Sequence, residues 1–319
     1  MPQTEDPAAA HAAGSAAETP APREPLPAAK RPLVALGEIL AGRFRITRFI
    51  AAGGMGQVFE AYDSVLQERV AIKIVRPDFV ADEQAHARFL REVQTARKVT
   101  HANVCRTFDV FHHRPSTPPG PADVAPGMTF LSMELLEGET LAARIARRKF
   151  TTAEALPILK QMAAALAAAH EVGVIHRDFK SRNVILTGTA TATRAVVTDF
   201  GLAHVTTEET ASLTASRAAP GTPAYMAPEQ LAGSGTVTPA ADVYALGVVL
   251  YEMVSGRRPF EADTPFKEAL ARLTEAPCSP RVHEPSLDPG WEAAILRCLE
   301  RDPRDRFANA LDVVRAVEG

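Results

Sequence analysis

Cysteine is scarce in this chain: three residues among 319, Cys105, Cys278 and Cys298, odd in number and far apart. That spacing excludes a disulfide framework and a zinc pattern, and it favours a reducing compartment. Long apolar runs are also missing. The longest, such as 163–169 and 243–249, fall well short of the ~18 residues that a membrane span needs. The N-terminus, Met1-Pro2-Gln3-Thr4-Glu5-Asp6, lacks the positive region and apolar core of a secretion signal. Neither sign of charge dominates. The net charge is −3 and no Lys/Arg run suggests a basic arm, so nothing points electrostatically to nucleic acid. A soluble, cytoplasmic protein is expected.

Core-forming material is ample, with 46% apolar and 23% charged residues, enough for one large domain or two modest ones. Residues 1–36 are the exception. They are rich in Ala and Pro, hold no aromatic residue, and cannot bury enough surface to offset chain entropy, so a disordered tail is expected. From Phe44 to Ile50 apolar and polar side chains alternate, as in a half-buried strand. Ala51-Ala52-Gly53-Gly54-Met55-Gly56 follows, then a second strand-like run at 58–62, which together predict a hairpin with a glycine-rich turn. A third strand, 69–75, carries Lys73 in its apolar middle, where by itself a lysine reads as solvent-facing.

Helical spacing of Phe89, Val93, Ala96 and Val99 predicts a helix over 82–99, with Glu92 on it. Strands are predicted at 104–111 and 128–133. The intervening 112–127, with Pro115, Pro118, Pro119, Pro121 and Pro126, reads as an exposed loop. His112 and His113 there read as loop residues, not metal ligands. Downstream the pattern turns helical, with long helices at 156–170 and 238–256. The second has Thr238 at its N-cap, Pro239 at N1 and Gly256 beyond its end, and its apolar body predicts a buried central helix. Thr264-Pro265 and Asp288-Pro289 repeat the start signal. Trp291, Ile295 and Leu299 then form an apolar face that packs.

The chemistry is concentrated in His176-Arg177-Asp178-Phe179-Lys180-Ser181-Arg182-Asn183, which sets a carboxylate, an ammonium and a carboxamide in one short turn. A second acid opens Asp199-Phe200-Gly201. Two oxygen donors suited to divalent metal, with a lysine beside them, suggest phosphoryl transfer. In chain order the motifs are Gly53-Gly54-Met55-Gly56, Val70-Ala71-Ile72-Lys73, Glu92, the turn at 176–183, Asp199-Phe200-Gly201, and Ala227-Pro228-Glu229. Singly each is weak; in this order and spacing the set resembles a protein kinase, over about 40–317. Gly54-Met55-Gly56 and Tyr225-Met226-Ala227-Pro228-Glu229-Gln230 resemble the bacterial, eukaryotic-like Ser/Thr branch.

The resemblance implies an α+β, bilobal fold. A β-rich N-lobe with one regulatory helix (about 40–134) and a hinge (about 134–138) lead into a larger helical C-lobe (about 139–317), all within a domain at 37–318. It implies ATP and Mg²⁺, or Mn²⁺, as cofactors. Lys73 would hold the phosphates and pair with Glu92. Asn183 and Asp199 would hold the metal, Asp178 would take the acceptor proton, and Lys180 would stabilise the transferring group. ATP would lie between the turn of Ala51, Ala52, Gly53, Gly54, Met55 and Gly56 and the walls Val58, Ala71 and Ile185. Met133 would sit at the back, Glu134 and Leu136 at the adenine edge, and Thr140 near the ribose. Asp242 would anchor the catalytic turn, and Glu229 would pair with Arg306.

Lys180 and Gly221-Thr222 resemble serine/threonine kinases, so protein substrates with Ser/Thr acceptors are implied. Arg177 leaves a cation that an activation-loop phosphate would neutralise. By distance from Thr222, Thr214 and then Ser216 are the expected autophosphorylation sites. Three positions depart from the pattern: Ala51 replaces the first loop glycine, and Phe179 and Ser181 replace the usual Leu and Pro. A regulatory partner would bind the N-terminal tail or the 112–127 loop; homodimerisation has no mark of its own here. The chain stops at the kinase, so its input is expected from a partner, another kinase or the tail. The other readings are a pseudokinase that only binds nucleotide and a small-molecule kinase. Lys73, Asp178 and Asp199 count against the first, Ala227-Pro228-Glu229 against the second.

Overall fold

The computed structural model describes residues 32–80, 82–113, 127–189, 192–200, 223–233 and 237–319. Within the compact unit Leu33–Gly319, an antiparallel sheet of six strands runs in the order β1 (Ile39–Leu40), β2 (Phe44–Gly53), β3 (Gly56–Asp63), β4 (Glu68–Val75), β6 (Met128–Met133) and β5 (Thr107–His113). Strand β4 explains both faces of this sheet. Val70, Ile72 and Ile74 enter an apolar cluster with Phe44, Phe59 and Phe130. The alternate residues, Ala71, Lys73 and Val75, are buried on the opposite face, where the pleat of a strand must send them.

Helix α1 (Glu83–Ala96) covers that opposite face. Its Asp82 cap accepts from the Ala85 N–H, and Phe89 and Val93 pack with Val75 and Leu131. Residues 33–36, expected in the tail, belong instead to the lobe. Val34 is buried in the Phe44–Phe130 cluster and the Leu33 N–H donates to Gln57 at 2.8 Å; an aliphatic residue next to an open core edge gains more by burial than it loses in chain entropy. The histidines expected in a loop are the end of β5. His112 Nδ1 lies 3.1 Å from the Thr129 hydroxyl, and His113 Nδ1 accepts from the Ala41 N–H.

The second lobe is built around helix α5 (Pro239–Ser255), nearly every residue of which is buried. It packs on α3 (Thr152–Glu171), α7 (Pro289–Cys298) and α8 (Ala310–Glu318). Gly247 makes the close approach to α7 feasible, since a Cβ there would stand 2.4 Å from Cys298 Cβ. Thr238 occupies the N-cap position but makes no capping hydrogen bond, so Pro239 carries the start signal; Gly256 closes the helix in the left-handed region at φ 74°. Trp291, Ile295 and Leu299 are core residues. The lobe is less purely helical than its sequence suggests. It also holds a small sheet of β7 (Gly138–Thr140), β8 (Val184–Thr189) and β9 (Ala192–Val197), with β7 and β8 against α2 (Leu141–Arg147). Short helices α4 (Pro228–Ala232) and α6 (Pro265–Thr274) complete the lobe.

Candidate active site

The turn at 176–183 lies between α3 and β8, and its conformation is set by one buried carboxylate. Asp242, 1% exposed on the first turn of α5, accepts from the backbone N–H groups of His176 at 2.8 Å and Arg177 at 2.9 Å. Its Oδ2 also meets His170 Nε2 at 2.7 Å. The Gln230 side chain donates to the Arg177 carbonyl at 3.0 Å. Gripped on both sides, Arg177 adopts φ +65°, a left-handed conformation that a non-glycine residue keeps only when its surroundings impose it. His176 is fully buried beside Phe179 and Phe200, with Nε2 2.9 Å from the Thr198 carbonyl. Phe179, at the usual Leu position, is absorbed by that core.

Above this base the polar groups converge. Lys180 Nζ is 2.6 Å from Asp178 Oδ2. The Asn183 amide donates to the Asp178 carbonyl at 2.9 Å, which leaves its carboxamide oxygen for a cation. Across the cleft Lys73, 5% exposed, pairs with Asp199 at 2.8 Å. Burial pushes the Asp199 carboxyl up, but the charge and hydrogen bond of Lys73 outweigh this and hold it below the usual carboxylate range. Asp199 itself is left-handed, at φ +64°. The oxygens of Asn183 and Asp199 are hard donors that fit a divalent cation such as Mg²⁺. No group of three or more His, Cys, Asp or Glu that could hold a metal exists among the described residues.

One expected contact is replaced. Lys73 is engaged by Asp199, not by Glu92. Helix α1 docks through Phe89 and Val93, and this places the Glu92 charge where it acts on Arg177. Burial lowers the Arg177 pKa, with Glu92 and then Asp242 opposing.

The glycine-rich hairpin closes in two residues, Gly53 pairing with Gly56. Gly56 is required by packing, because a Cβ there would stand 1.9 Å from the Ile74 carbonyl oxygen. Ala51 is an exposed strand residue opposite Val58 and sits among none of the positive-φ residues, so the backbone accepts alanine without strain. Ala52 and Gly54 are exposed, whereas Met55 packs toward Val75 and Phe89. Ala71 and Met133 are paired neighbours on β4 and β6. Ile185 lies on β8 opposite Thr140, whose hydroxyl caps α2 by accepting from the Ala143 N–H at 3.0 Å. Glu134 and Leu136 follow β6 in the connection to β7, and the Glu134 carboxylate is held by Arg194 at 3.1 Å. Burial raises the thiol pKa of Cys105, 3.7 Å from the Glu134 carbonyl.

Glu229 and Arg306 meet in a two-pronged pair, 2.8 Å on each prong. Thr214, Ser216, Thr222 and Gly201 lie outside the described residues. His170 and Glu252 carry no mark in the sequence, and Tyr225 and Gln230 stand there only as motif members; the side-chain contacts of all four span tens of residues and leave no local signal.

A family model described as protein kinase domain matches residues 44–316. The chain is 37% identical over 288 residues to serine/threonine-protein kinase PknA of Mycobacterium tuberculosis, covering 88% of this chain and 63% of that protein. It is 35% identical to serine/threonine-protein kinase pkn3 of Myxococcus xanthus (86% and 49% covered) and 34% identical to serine/threonine-protein kinase PrkC of Bacillus subtilis (87% and 40% covered). The chain thus spans less than two thirds of the length of these curated relatives. Among solved structures, the M. tuberculosis PknI kinase domain matches with a TM-score of 0.68 at 24% identity, covering 89% of this chain and 98% of that one. That likeness shows the fold, a bilobal one.

Proposed function

We propose that this chain, which belongs to the protein kinase family, transfers the γ-phosphoryl group of ATP to serine and threonine hydroxyls of protein substrates. The observation that carries the reading is the convergence on one cleft of Asp178 with Lys180 at 2.6 Å and of Lys73 with Asp199 at 2.8 Å. Each group has a task in phosphoryl transfer, and a scaffold that merely binds nucleotide needs neither an acid poised beside a lysine nor a strained backbone to present it.

Asp178 takes the proton of the acceptor hydroxyl as its oxygen attacks the γ-phosphorus, and the bond to the ADP oxygen breaks. Lys180, already beside Asp178, stabilises negative charge on the phosphoryl oxygens. Lys73 moves from Asp199 to the ATP phosphates when nucleotide binds. Asn183 and Asp199 would hold Mg²⁺, which when bound neutralises charge on the β- and γ-phosphates. The adenine would lie between Val58, Ala71 and Ile185, with the Glu134 carbonyl and Leu136 N–H at its edge and Met133 behind. Thr140 remains the ribose candidate, its hydroxyl hydrogen uncommitted by the cap it makes.

Arg177 would receive the phosphate of an autophosphorylated loop, at Thr214 first and Ser216 second. Regulatory input would enter through the N-terminal tail, the 112–127 loop or a second copy of the chain. No helix among the described residues is long and apolar enough to cross a membrane. A cytoplasmic location is part of the proposal, and it is supported by three free cysteines. Incubation with Mg·ATP and a generic Ser/Thr-containing acceptor protein, followed by mass spectrometry, tests the reading. Phosphoserine and phosphothreonine are expected on the acceptor and between residues 199 and 229; an acceptor left unmodified would overturn it.

A further inference from the structure

The Asp178–Asn183 turn is tied to the segment on which a protein substrate would rest by a hydroxyl that a proline at position 181 would not supply. Ser181, 1% exposed and adjacent to Lys180, places Oγ 2.9 Å from the Tyr225 hydroxyl. Tyr225 in turn donates to both carboxylate oxygens of Glu252 on α5, at 2.8 Å each. Burial, and then the Glu252 charge, raise the Tyr225 phenol far above its ordinary range, so it stays a donor. With the Tyr225 proton directed at Glu252, the phenolic oxygen is left to accept, and Ser181 is the donor. The hydrogen bonds link the catalytic turn through Tyr225 to Glu252 on α5, whose pKa is raised by burial and held back by the hydroxyls of Tyr225 and Ser181. One residue on, the Met226 carbonyl accepts from Arg272 at 3.1 Å, and Arg272, 2% exposed, is held by Glu268.

We infer that Ser181 is a positioning residue: through Tyr225 and Glu252 it fixes the substrate-bearing segment relative to Asp178, and so sets where the acceptor hydroxyl lies. This rests on the kinase reading above. It locates the effect on the acceptor side of the cleft, since none of the three side chains contacts the hairpin, β4 or the β6–β7 connection in any hydrogen bond described.

The test compares wild type with Ser181→Ala, Ser181→Thr, Tyr225→Phe and the Ser181→Ala/Tyr225→Phe pair, in the full chain. Three quantities are read: phosphoryl transfer to a Ser/Thr peptide, hydrolysis of ATP with water as acceptor, and amide-exchange protection of residues 223–227. Ser181→Ala is expected to lower kcat/KM for the peptide about five- to tenfold, the scale of one lost hydrogen bond. ATP KM and hydrolysis should be unchanged. The double variant should lose no more than Tyr225→Phe alone, as members of one network do, and Ser181→Thr should restore transfer. Equal loss of transfer and hydrolysis, or additive losses, would show a merely structural hydroxyl and overturn the inference. So would peptide kinetics of Ser181→Ala identical to wild type. If wild type itself transfers nothing, the kinase reading fails. The tie is then judged on exchange alone: protection lost in Ser181→Ala and kept in Ser181→Thr supports it, and unchanged protection overturns it.

Discussion

Replacing Arg306 by lysine keeps the charge, and the structure predicts that it nonetheless costs a large share of the stability. The Arg306 guanidinium is fully buried and uses every N–H it has. Nε donates to the Glu300 carbonyl at 2.8 Å. Nη1 donates to Glu229 at 2.8 Å and to the Ala240 carbonyl at 2.9 Å, and Nη2 to Glu229 at 2.8 Å and the Arg301 carbonyl at 3.0 Å. Its carbon also lies 4.9 Å from the centre of the Tyr244 ring. An ammonium has three N–H groups, so at least two of these five acceptor contacts are lost and buried oxygens are left bare, at about 1–3 kcal/mol each. Taking the low end and adding the poorer geometry with Glu229 gives a loss of about 3 kcal/mol. In a domain larger than about 150 residues each kcal/mol lowers Tm by roughly 2–4 °C, so Arg306→Lys should melt about 6–12 °C below wild type in a calorimetric or fluorescence scan. Glu229→Gln should cost less, because the three carbonyl bonds survive. A Tm within about 2 °C of wild type for Arg306→Lys would refute the claim that the five-point geometry, not the charge, holds this corner.

Gly56→Ala should destabilise the first lobe by about 1–3 kcal/mol and weaken nucleotide binding, since the colliding atom, the Ile74 carbonyl oxygen at 1.9 Å, is backbone and cannot swing away; thermal shift with and without Mg·ATP checks this. Ala51→Gly should lower the ATP KM or raise kcat by loosening the hairpin over the phosphates, and steady-state kinetics identical to wild type would show the position to be neutral. Asp199 has a folded pKa below its unfolded one, so its contribution is fully present above the ordinary aspartate value of about 3.9 and is lost as pH falls through the folded value. Urea unfolding from pH 6 downward should therefore show a steeper acid loss in wild type than in Asp199→Asn.

Much of this was legible in the sequence because the signals were local. Strand β6 has the bounds 128–133 that its apolar run predicts, α1 (Glu83–Ala96) falls within the expected 82–99 and stops short of its end, and α5 runs between Pro239 and Gly256 as its punctuation requires. The sheet β7–β8–β9 was not legible. Strand β8, Val-Ile-Leu-Thr-Gly-Thr, does not alternate, and β9 is buried only over its last three residues, so neither carries a period of two. A motif sets Asp178, Lys180 and Asn183 in one short turn, and the structure joins them by hydrogen bonds. Lys73 is buried because its strand is covered on both faces, a tertiary fact that its own neighbours in sequence do not carry. Its partner in the structure, Asp199, comes from the other lobe and is brought to it only by folding. The Ser181–Tyr225–Glu252 link joins positions 44 and 27 residues apart, and only folding brings them together.

The central claim, that Asp178 and its neighbours transfer phosphoryl groups to protein hydroxyls, is tested most directly by label transfer from γ-labelled Mg·ATP to a Ser/Thr acceptor, with wild type and Asp178→Asn side by side. Wild type should label the acceptor. Asp178→Asn should lose at least about 100-fold of that rate, the scale of a positioned general base, while it still binds nucleotide. Equal signal from the two proteins would contradict the account.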